Sequence, residues 1–537
     1  MFVDHSFFAI IFPELSLIVL ATWIIVGSSF QRGRVWWTSF AVMSYVVALI
    51  ALAQQDMHLF AMFGAGEGQL NGPLAVDLLG HGLRWLAVIM GLLFALNYGQ
   101  PDRSQLTGER QGLLMLLVVG VMLVGSANEL VLLFLGLELI SVPTYVLLFL
   151  GRNDRSTAEA TIKYFFLSIF SSAMLLYGFS FLYGIGGSTN LSDIHAALGR
   201  ESTGMGILGL APVAAVLIVA GLGYKIAAVP FHFYAPDVYQ GSTNTNAGLL
   251  AVAPKIAGIA ALARLAVYVM PESFAFGWPL ILVLSMISMT IGNVCALWQT
   301  NLRRMMAYSS IAHAGYMLIG LSVALAAAET GDLTSGGVAA MLVYLTMYVF
   351  ATIGVFSALS YLSGPDHEIS EVDELAGVGR SHSTAGTVIA MGMFSLAGIP
   401  PLAGFWGKFA VFGSAIRFAA MPTSGAASWW FIVLAIVGAV NAAIAAVYYL
   451  NVVSTLYFRT SQTSTPARGG YGSLAAMSIS AIAIGFLGLV PGGVMKTAGL
   501  AEQTALSVSE QQLPIGPVHT AQADAEQPVE PHSIAGE

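Results

Sequence analysis

The sequence predicts an all-α polytopic membrane protein with about 14 transmembrane helices. Of its 537 residues, 57% are hydrophobic and only 9% are charged, and the mean hydropathy is +0.79. A soluble globular protein carries roughly 25% charged residues. The apolar runs approach the ~20 residues that a membrane-spanning helix needs, and they lack the alternating polarity of short barrel strands.

Apolar runs bounded by polar turns give the candidate spans. The fourth and fifth nearly merge, so a count of thirteen or fifteen stays open. The first run follows an N-terminus without a basic region, so we expect a retained span rather than a cleaved signal. In order, the spans lie near residues 7–28, 35–54, 81–99, 112–127, 129–150, 160–184, 209–235, 245–270, 278–298, 303–325, 338–362, 385–416, 429–458 and 474–498.

The arginines predict the orientation. An outer N-terminus places most loop arginines on the inner side, as the positive-inside rule requires. We therefore expect a bacterial inner-membrane protein with both termini on the outer, periplasmic side. Arg84 and Arg264 lie near outer span ends and are expected to snorkel. The outer loops then hold Arg200, Arg417 and Lys496, whereas the inner loops hold Arg32, Arg34, Arg103, Arg110, Arg152, Arg155, Arg303, Arg304, Arg380, Arg459 and Arg468.

Two spans contain sequence that interrupts a helix. The seventh reads GLGYKIAAVPFHFYAPD at 221–237, and the twelfth reads FSLAGIPPLAGFWGKF at 394–409. Proline removes a backbone donor and clashes with the preceding turn, so both helices should be broken. Interrupted helices at corresponding positions are typical of inverted repeats with a site near the middle of the membrane.

This spacing divides the chain into five segments. Three N-terminal helices occupy 1–110, the first five-helix repeat (helices 4–8) occupies 111–270, and the second, inverted repeat (helices 9–13) occupies 271–460. The last transmembrane helix lies in 461–498. The polar tail at 499–537 is rich in Gln, Ala, Pro and Glu and is expected to be disordered.

The candidate functional residues are charged groups inside predicted spans. Lys225, Lys255 and Lys408 lie deep and next to proline-marked irregularities, and Glu138 lies midway along the fifth span. A lysine at the centre of a bilayer costs about 2.5–3.5 kcal/mol on insertion scales, and such residues usually mark an ion or proton path. Lys163 lies closer to the inner face, where snorkelling explains it equally well.

A buried lysine beside a carboxylate is suited to loading and unloading a proton. Burial disfavours its charged form, whereas a neighbouring carboxylate favours it. A change of charge at Glu138 would therefore control Lys225, and a chain of lysines with water between them would pass protons onward. His313 and His232 are possible relays because imidazole titrates near neutrality, although a lone histidine is more often a packing residue.

Other chemistry finds little support in the sequence. Cys295 is the single cysteine, and thiolate-bound iron–sulfur or zinc sites need several. The histidines within spans are too few for paired haem ligation, and GFWGKF lacks the spacing of a phosphate loop. We therefore expect no redox centre and no metal site in this chain.

The chain resembles the antiporter-like membrane subunits of respiratory complex I, the proton-pumping NADH:quinone oxidoreductase. The similarity covers roughly residues 10–460 and is carried by several motifs. These are LGLELISVPTYVL with Glu138, KYFFLSIFSSAMLLYG with Lys163, GYKIAAVPFHFYAPDVYQGS with Lys225, APKIAG with Lys255, RRMMAYSSIAHAGYMLIG with His313 and SLAGIPPLAGFWGKF with Lys408.

The twelfth-span residue separates the paralogues within that family. Subunit M carries a glutamate where this chain has Lys408, and subunit L continues past the fourteenth span into a long lateral helix. The chain is therefore most similar to the subunit N branch. The resemblance implies inverted repeats, broken seventh and twelfth helices, and a proton path from Lys225 past Lys255 to Lys408.

The resemblance also implies what other chains supply. NADH, FMN, iron–sulfur clusters and quinone would be bound by other subunits, and the partners would be neighbouring membrane-arm subunits and the lipid bilayer, not nucleic acid. Two alternatives stay open. One is a subunit of a multi-subunit cation/proton antiporter, and the other is a purely structural scaffold between pumping neighbours.

Overall fold

The computed structural model describes ten stretches of the chain. They are almost entirely helical, with one two-stranded antiparallel hairpin, β1 (Gln69–Asn71) and β2 (Leu74–Val76). The described residues are 5–31, 36–64, 69–99, 106–152, 154–201, 210–270, 277–330, 336–364, 367–460 and 469–510.

The helices follow one another with short links. A π-helical segment, Ala263–Val269, extends α10. In chain order the helices are α1 (His5–Phe30), α2 (Trp36–Gly64), α3 (Leu78–Tyr98), α4 (Thr107–Ser126), α5 (Leu130–Phe149), α6 (Arg155–Gly186), α7 (Leu191–Glu201), α8 (Ala211–Ile226), α9 (Ala235–Gly241), α10 (Asn244–Leu262), α11 (Gly277–Leu297), α12 (Leu302–Glu329), α13 (Gly337–Leu362), α14 (Val378–Ser381), α15 (Ser383–Ala397), α16 (Ala403–Ala419), α17 (Ala427–Phe458), α18 (Tyr471–Leu489) and α19 (Gly492–Glu510).

The prediction of about 14 spans is confirmed. Within the described residues, 12 helices are long and apolar enough to cross a membrane. The other two spans are the interrupted ones, built from α8 with α9 and from α15 with α16. The fourth and fifth spans are separate helices, since α4 ends at Ser126 and α5 begins at Leu130.

Both predicted helix breaks are present. In the seventh span, α8 stops at Ile226, and Ala227 takes the left-handed conformation with φ 58°. In the twelfth, α15 stops at Ala397, and Gly398 takes φ 88°. Left-handed residues commonly end helices, and a proline shortly after prevents their continuation. Pro230 and Pro400 follow these two ends, so each span is split near a lysine.

Two helices form the centre of the bundle. In the most apolar stretch of α10 and its π-helical extension every residue is buried, and in that of α12 94% of the residues are buried. In α1 and α17 only about a third of the corresponding residues are buried, so the apolar side chains of these two helices face lipid. The central helices carry Lys255 and His313, which places both residues away from the bilayer.

Glycines allow α11 and α12 to pack closely. A Cβ atom at Gly292 would lie 2.6 Å from the backbone nitrogen of Ala312, and one at Gly315 would lie 2.7 Å from that of Met289. Small residues permit such approach in membranes, where helix association depends on packing rather than on the hydrophobic effect.

Ion pairs join the loops at one end of the bundle, here called the basic end. Glu368 accepts a hydrogen bond of 2.9 Å from Arg303 and lies 3.4 Å from Arg152. Burial raises the pKa of the Glu368 carboxyl above its ordinary value, although both arginines act in the opposite direction. Arg459 pairs there with Asp373.

The C-terminal part of the chain differs from the prediction. The span expected at 474–498 is two helices, α18 and α19, because Pro491 follows the end of α18 at Leu489. The expected disorder from 499 onward is wrong as far as Glu510, where α19 ends. Residues 511–537 lie outside the described residues, as do Arg32, Arg34, Arg103 and Arg468.

Gly292→Ala should destabilise the protein by about 1–3 kcal/mol, since its methyl group must displace the backbone of α12. Thermal unfolding of the purified protein in mild detergent measures the effect. Gly184→Ala is the matched control, because a Cβ there meets nothing within 4 Å and alanine favours the helix. Equal stability of the two variants would contradict close packing of α11 on α12.

Candidate functional site

Lys225 is held in a pocket of hydroxyl groups. It lies in the last turn of α8 and is 4% exposed. Its Nζ donates hydrogen bonds to Ser141 at 2.7 Å and to Ser168 and Ser172 at 3.3 Å. The C-terminal end of a helix also favours a cation. These partners compensate the buried ammonium group without a direct carboxylate contact.

Glu138 lies beside Lys225 but is less buried. Its Oε1 is 3.9 Å from the Lys225 Nζ, and its side chain is 29% exposed against 3% for the lysine. Ser172 donates a hydrogen bond to the same Oε1, so this serine contacts both charged groups. The pairing that the sequence suggested between Glu138 and Lys225 is present in the structure.

Lys255 lies across the interface from Lys225. A Cβ at Gly258, one turn further along α10, would be 3.5 Å from the Lys225 Cβ. Lys255 is 2% exposed, and its Nζ donates to the hydroxyl of Ser310 on α12. The Tyr348 hydroxyl is 3.0 Å from the same serine oxygen. Lys255 thus connects α10 to α12 and α13.

His313 lies three residues after Ser310 on α12. Its Nδ1 is 2.7 Å from the hydroxyl of Tyr344, and its Nε2 is 3.0 Å from that of Tyr449. Its ring centroid is 5.0 Å from that of Tyr348. His313 therefore stands between Lys255 and the twelfth span, bound on both ring nitrogens by groups that donate and accept protons.

Lys408 occupies the second break. Its Nζ donates a hydrogen bond of 2.7 Å to the carbonyl of Ala397, the last residue of α15. Gly398 packs against this lysine, since a Cβ there would lie 2.8 Å from the lysine Cδ, and its φ of 88° is one that glycine adopts readily. The lysine is 6% exposed.

A small cavity separates His313 from Lys408. Both residues line it, together with Tyr344 and Ser395. The volume within which the centre of a water molecule fits is about 10 Å³. This is about what one buried water requires. A single water would bridge the imidazole and the ammonium group.

Lys163 belongs to a separate cluster at the basic end. Its Nζ lies 2.7 Å from Glu159 and 2.9 Å from Asp237. Asp237 also accepts from Arg304 at 2.7 Å. The Lys163 side chain is 40% exposed, and its ion-pair partners are these two surface carboxylates rather than a group of the buried lysine series.

His232 lies in the link between α8 and α9. It is half-buried, and its Nδ1 has no hydrogen-bond partner among the described residues. The structure does not bring this ring into the hydrogen-bonded groups around Lys255 and His313. Its role as a relay stays a prediction.

Sequence reasoning missed the tyrosines around His313 and Ser141 beside Lys225. A signal was available for Tyr344 and Tyr348, whose spacing of four places both on one face of α13. Ser168 and Ser172 stand out in the sequence only as hydroxyls inside a span that could hold water. Their contact with Lys225, like that of Ser141, could be found only by knowing which helices face α8.

Two buried ion pairs were also missed. Glu14 on α1 pairs with Arg84 through two hydrogen bonds of 2.6 and 2.8 Å. Asp77 pairs with Arg264 through two bonds of 2.8 Å. The expectation that both arginines snorkel is wrong, because each is 5% exposed.

The fold and this buried series of lysines define an antiporter-like, polytopic membrane protein. Within the described residues, no group of three or more His, Cys, Asp or Glu side chains is placed to hold a metal ion. The groups that the structure brings together are Glu138, Lys225, Lys255, His313 and Lys408. Hydroxyls join Glu138 to Lys225 and surround Lys255 and His313, whereas helix packing lies between Lys225 and Lys255 and the small cavity lies between His313 and Lys408. Such a series can pass protons but offers no nucleophile paired with a base.

Comparisons with known proteins agree with this class. The family model described as NADH:quinone oxidoreductase/Mrp antiporter, TM, matches residues 127–440. NADH-quinone oxidoreductase subunit N of Methylobacterium nodulans is 34% identical over 498 residues, which cover 92% of this chain and 96% of that protein. The chain therefore belongs to the NADH:quinone oxidoreductase/Mrp antiporter family, in the branch of NADH-quinone oxidoreductase subunit N.

Solved structures share the architecture. A chain of respiratory complex I from Thermus thermophilus with bound aureothin has a TM-score of 0.71 and 31% identity, and the match covers 90% of this chain and 98% of that one. A chain of the Mrp complex from Dietzia sp. DQ12-45-1b has a TM-score of 0.74 at 17% identity, covering 93% and 99%. The second match shows the common fold alone.

Glu14→Leu should destabilise the protein by about 3–5 kcal/mol, because it leaves the buried Arg84 guanidinium without its carboxylate. Adding Arg84→Met should restore most of that stability, since the second change removes the uncompensated charge. Thermal unfolding of both variants in detergent measures the difference. A double variant no more stable than Glu14→Leu would argue against a tightly coupled pair.

Proposed function

We propose that this chain is the subunit N of an NADH:quinone oxidoreductase and that it conducts protons through its buried lysines. The observation that carries the proposal is the Glu138–Ser172–Lys225 group, in which a serine contacts a half-buried carboxylate and a fully buried ammonium. The 34% sequence identity to a protein named NADH-quinone oxidoreductase subunit N supports the same conclusion.

The charge on Glu138 provides the control. Two unit charges 4 Å apart interact by about 4 kcal/mol at an effective dielectric constant of 20. Because 1.4 kcal/mol corresponds to a factor of ten, neutralising Glu138 would weaken the proton affinity of Lys225 by roughly a thousandfold. An electrostatic signal that neutralises Glu138 would therefore favour release of the proton from this lysine.

The released proton then has a route toward Lys408. Lys255 lies one helical turn from the Gly258 that packs on Lys225, and Ser310 and Tyr348 lead from Lys255 to His313. The cavity that fits one water molecule lies between His313 and Lys408 and completes the route. We propose that protons enter from the cytoplasm and leave near Lys408 on the outer side, with both termini on that outer side of a bacterial inner membrane.

The remaining parts of the reaction belong to partners. We propose that the neighbouring antiporter-like and small membrane-arm subunits transmit the signal, and that NADH, FMN, iron–sulfur clusters and quinone are bound elsewhere in the complex. This chain would then act as a translocase component without a redox centre of its own. Its segments at 111–270 and 271–460 would be the two inverted repeats.

Lys225→Ala in the assembled complex should lower proton-coupled quinone reduction by roughly tenfold or more, since a positioned proton-transfer group commonly contributes ~10²–10⁴-fold. NADH-driven quinone reduction and proton uptake in sealed vesicles measure the effect. Arg380→Ala is the control, because it removes an exposed positive charge. Full activity of Lys225→Ala with intact assembly would reject the proposed role.

Ser172→Ala should slow proton pumping while leaving assembly intact, because it removes the hydroxyl shared by Glu138 and Lys225. The loss should be smaller than that of Lys225→Ala, since Ser141 and Ser168 still contact the lysine. Ser180→Ala, on the exposed face of the same helix, should have no effect. Identical pumping by both serine variants would remove Ser172 from the mechanism.

The same preparations separate the two candidate assemblies. A multi-subunit cation/proton antiporter would exchange cations for protons without oxidising NADH, and the fold similarity to the Mrp chain keeps this alternative relevant. NADH-dependent quinone reduction by the complex that copurifies with this chain supports the oxidoreductase. Cation-dependent proton exchange without that activity would support the antiporter.

A further inference from the structure

A groove lies at the end of the bundle opposite the basic end, between α3, α13 and α19. Its volume is about 310 Å³, and it lies outside the lysine series described above. Most of its lining is aliphatic, with a few polar groups along one rim. The lining residues are Asp56, Leu78, Leu79, His81, Gly82, Leu83, Trp85, Leu86, Leu342, Leu345, Thr346, Val494, Thr497, Ala498 and Ala501.

The C-terminal helix α19 forms one wall and is fixed at two points. The Glu502 carboxylate accepts from the backbone nitrogens of Val338 and Ala339 at 3.2 and 3.4 Å, at the beginning of α13. The Thr504 hydroxyl accepts from the Leu78 nitrogen at 3.0 Å, at the beginning of α3. These contacts hold the wall in place, so the groove cannot close by a simple collapse of α19.

The size and chemistry of the groove suit a hydrocarbon chain. Its volume is about twice that of a ~150 Å³ engineered apolar cavity that binds benzene, and it reaches the lower range of small-molecule sites. A Cβ atom added at Gly82, in the wall of the groove, would meet no atom within 4 Å apart from its own helix backbone. Space is therefore open at the wall itself, and the bilayer supplies acyl chains to fill it.

The rim of the groove carries a carboxylate. Asp56 lies 2.6 Å from the His81 Nε2 and accepts from the Trp85 indole at 3.1 Å, yet its side chain remains 44% exposed. The rim thus offers a carboxylate that can accept hydrogen bonds from an ammonium group.

We propose that this groove binds one acyl chain of a phospholipid with a primary ammonium headgroup. The ammonium would donate hydrogen bonds to Asp56. A quaternary headgroup has no hydrogen to donate, and a headgroup with anionic charge alone would meet the Asp56 carboxylate unfavourably. None of Lys225, Lys255 and Lys408 lines this groove, so the proposed lipid site is distinct from the proposed proton path.

Native mass spectrometry of the intact complex, extracted in mild detergent and progressively delipidated, tests the site. We expect one tightly retained ethanolamine phospholipid per copy of this chain, lost in Gly82→Leu because leucine fills the open wall. Gly184→Leu, on α6 and equally free of neighbours, should retain it. Equal retention by the two variants would overturn the proposal.

The assembled complex also distinguishes lipid from a neighbouring protein. If side chains of another subunit filled the groove, Gly82→Leu would leave the lipid count unchanged and release that subunit. This result would overturn the proposal as well. Folding of the variant is checked by unchanged thermal unfolding, and Ala498→Phe, from the opposite wall, gives a second blocking variant.

The headgroup is tested by exchanging the retained lipid. Purified complex is incubated with equal amounts of ethanolamine, choline and glycerol phospholipids that carry identical acyl chains. We expect at least fivefold enrichment of the ethanolamine lipid, reduced toward equal binding in Asp56→Asn. Preferential retention of the glycerol lipid, or unchanged selectivity in Asp56→Asn, would reject an ammonium site at this rim.

Discussion

Every charged group inside the bundle must find its polar partners within the protein, and this constraint organises the rest of the structure. A bilayer core supplies no water to an ammonium group or to a free backbone carbonyl. The second break meets both needs together, because it exposes a carbonyl where a lysine needs an acceptor: Lys408 donates to the last carbonyl of α15. At the first break Lys225 lies in the last turn of α8, and its acceptors are serine hydroxyls of neighbouring helices.

The partners of the lysines also determine what they can do. Serines, a carbonyl and tyrosines surround Lys225, Lys255 and Lys408, whereas the nearest carboxylate contact is the 3.9 Å approach of Glu138. A neutral hydroxyl contacts either form of a lysine, as acceptor or as donor. When a lysine that is bound by hydroxyls loses its proton, no partner carboxylate is left without its cation. A direct bidentate carboxylate contact would hold the proton too firmly for transport.

The sequence predicted the spans, both helix breaks and the Glu138–Lys225 pair, because apolar length, proline and buried charge leave strong local patterns. It did not predict the Glu14–Arg84 and Asp77–Arg264 pairs, since each joins helices far apart in the chain and each residue lies near a span end. The extent of α19 was also missed. Its polar residues suggested a solvated tail, but Glu502 is buried at the beginning of α13. Only the packed structure reveals that contact.

The two kinds of buried cation divide the molecule by chemistry. Arginine keeps its proton in proteins and binds a carboxylate through a planar pair of hydrogen bonds. Arg84 and Arg264 do so with Glu14 and Asp77, and these fixed charges join the N-terminal helices and the end of α10 to the bundle. Lysine shifts its protonation readily when buried. The lysines stand in the centre of the bundle, where their hydrogen-bond partners are neutral, so the permanent charges join the helices while the charges that can change lie apart from them.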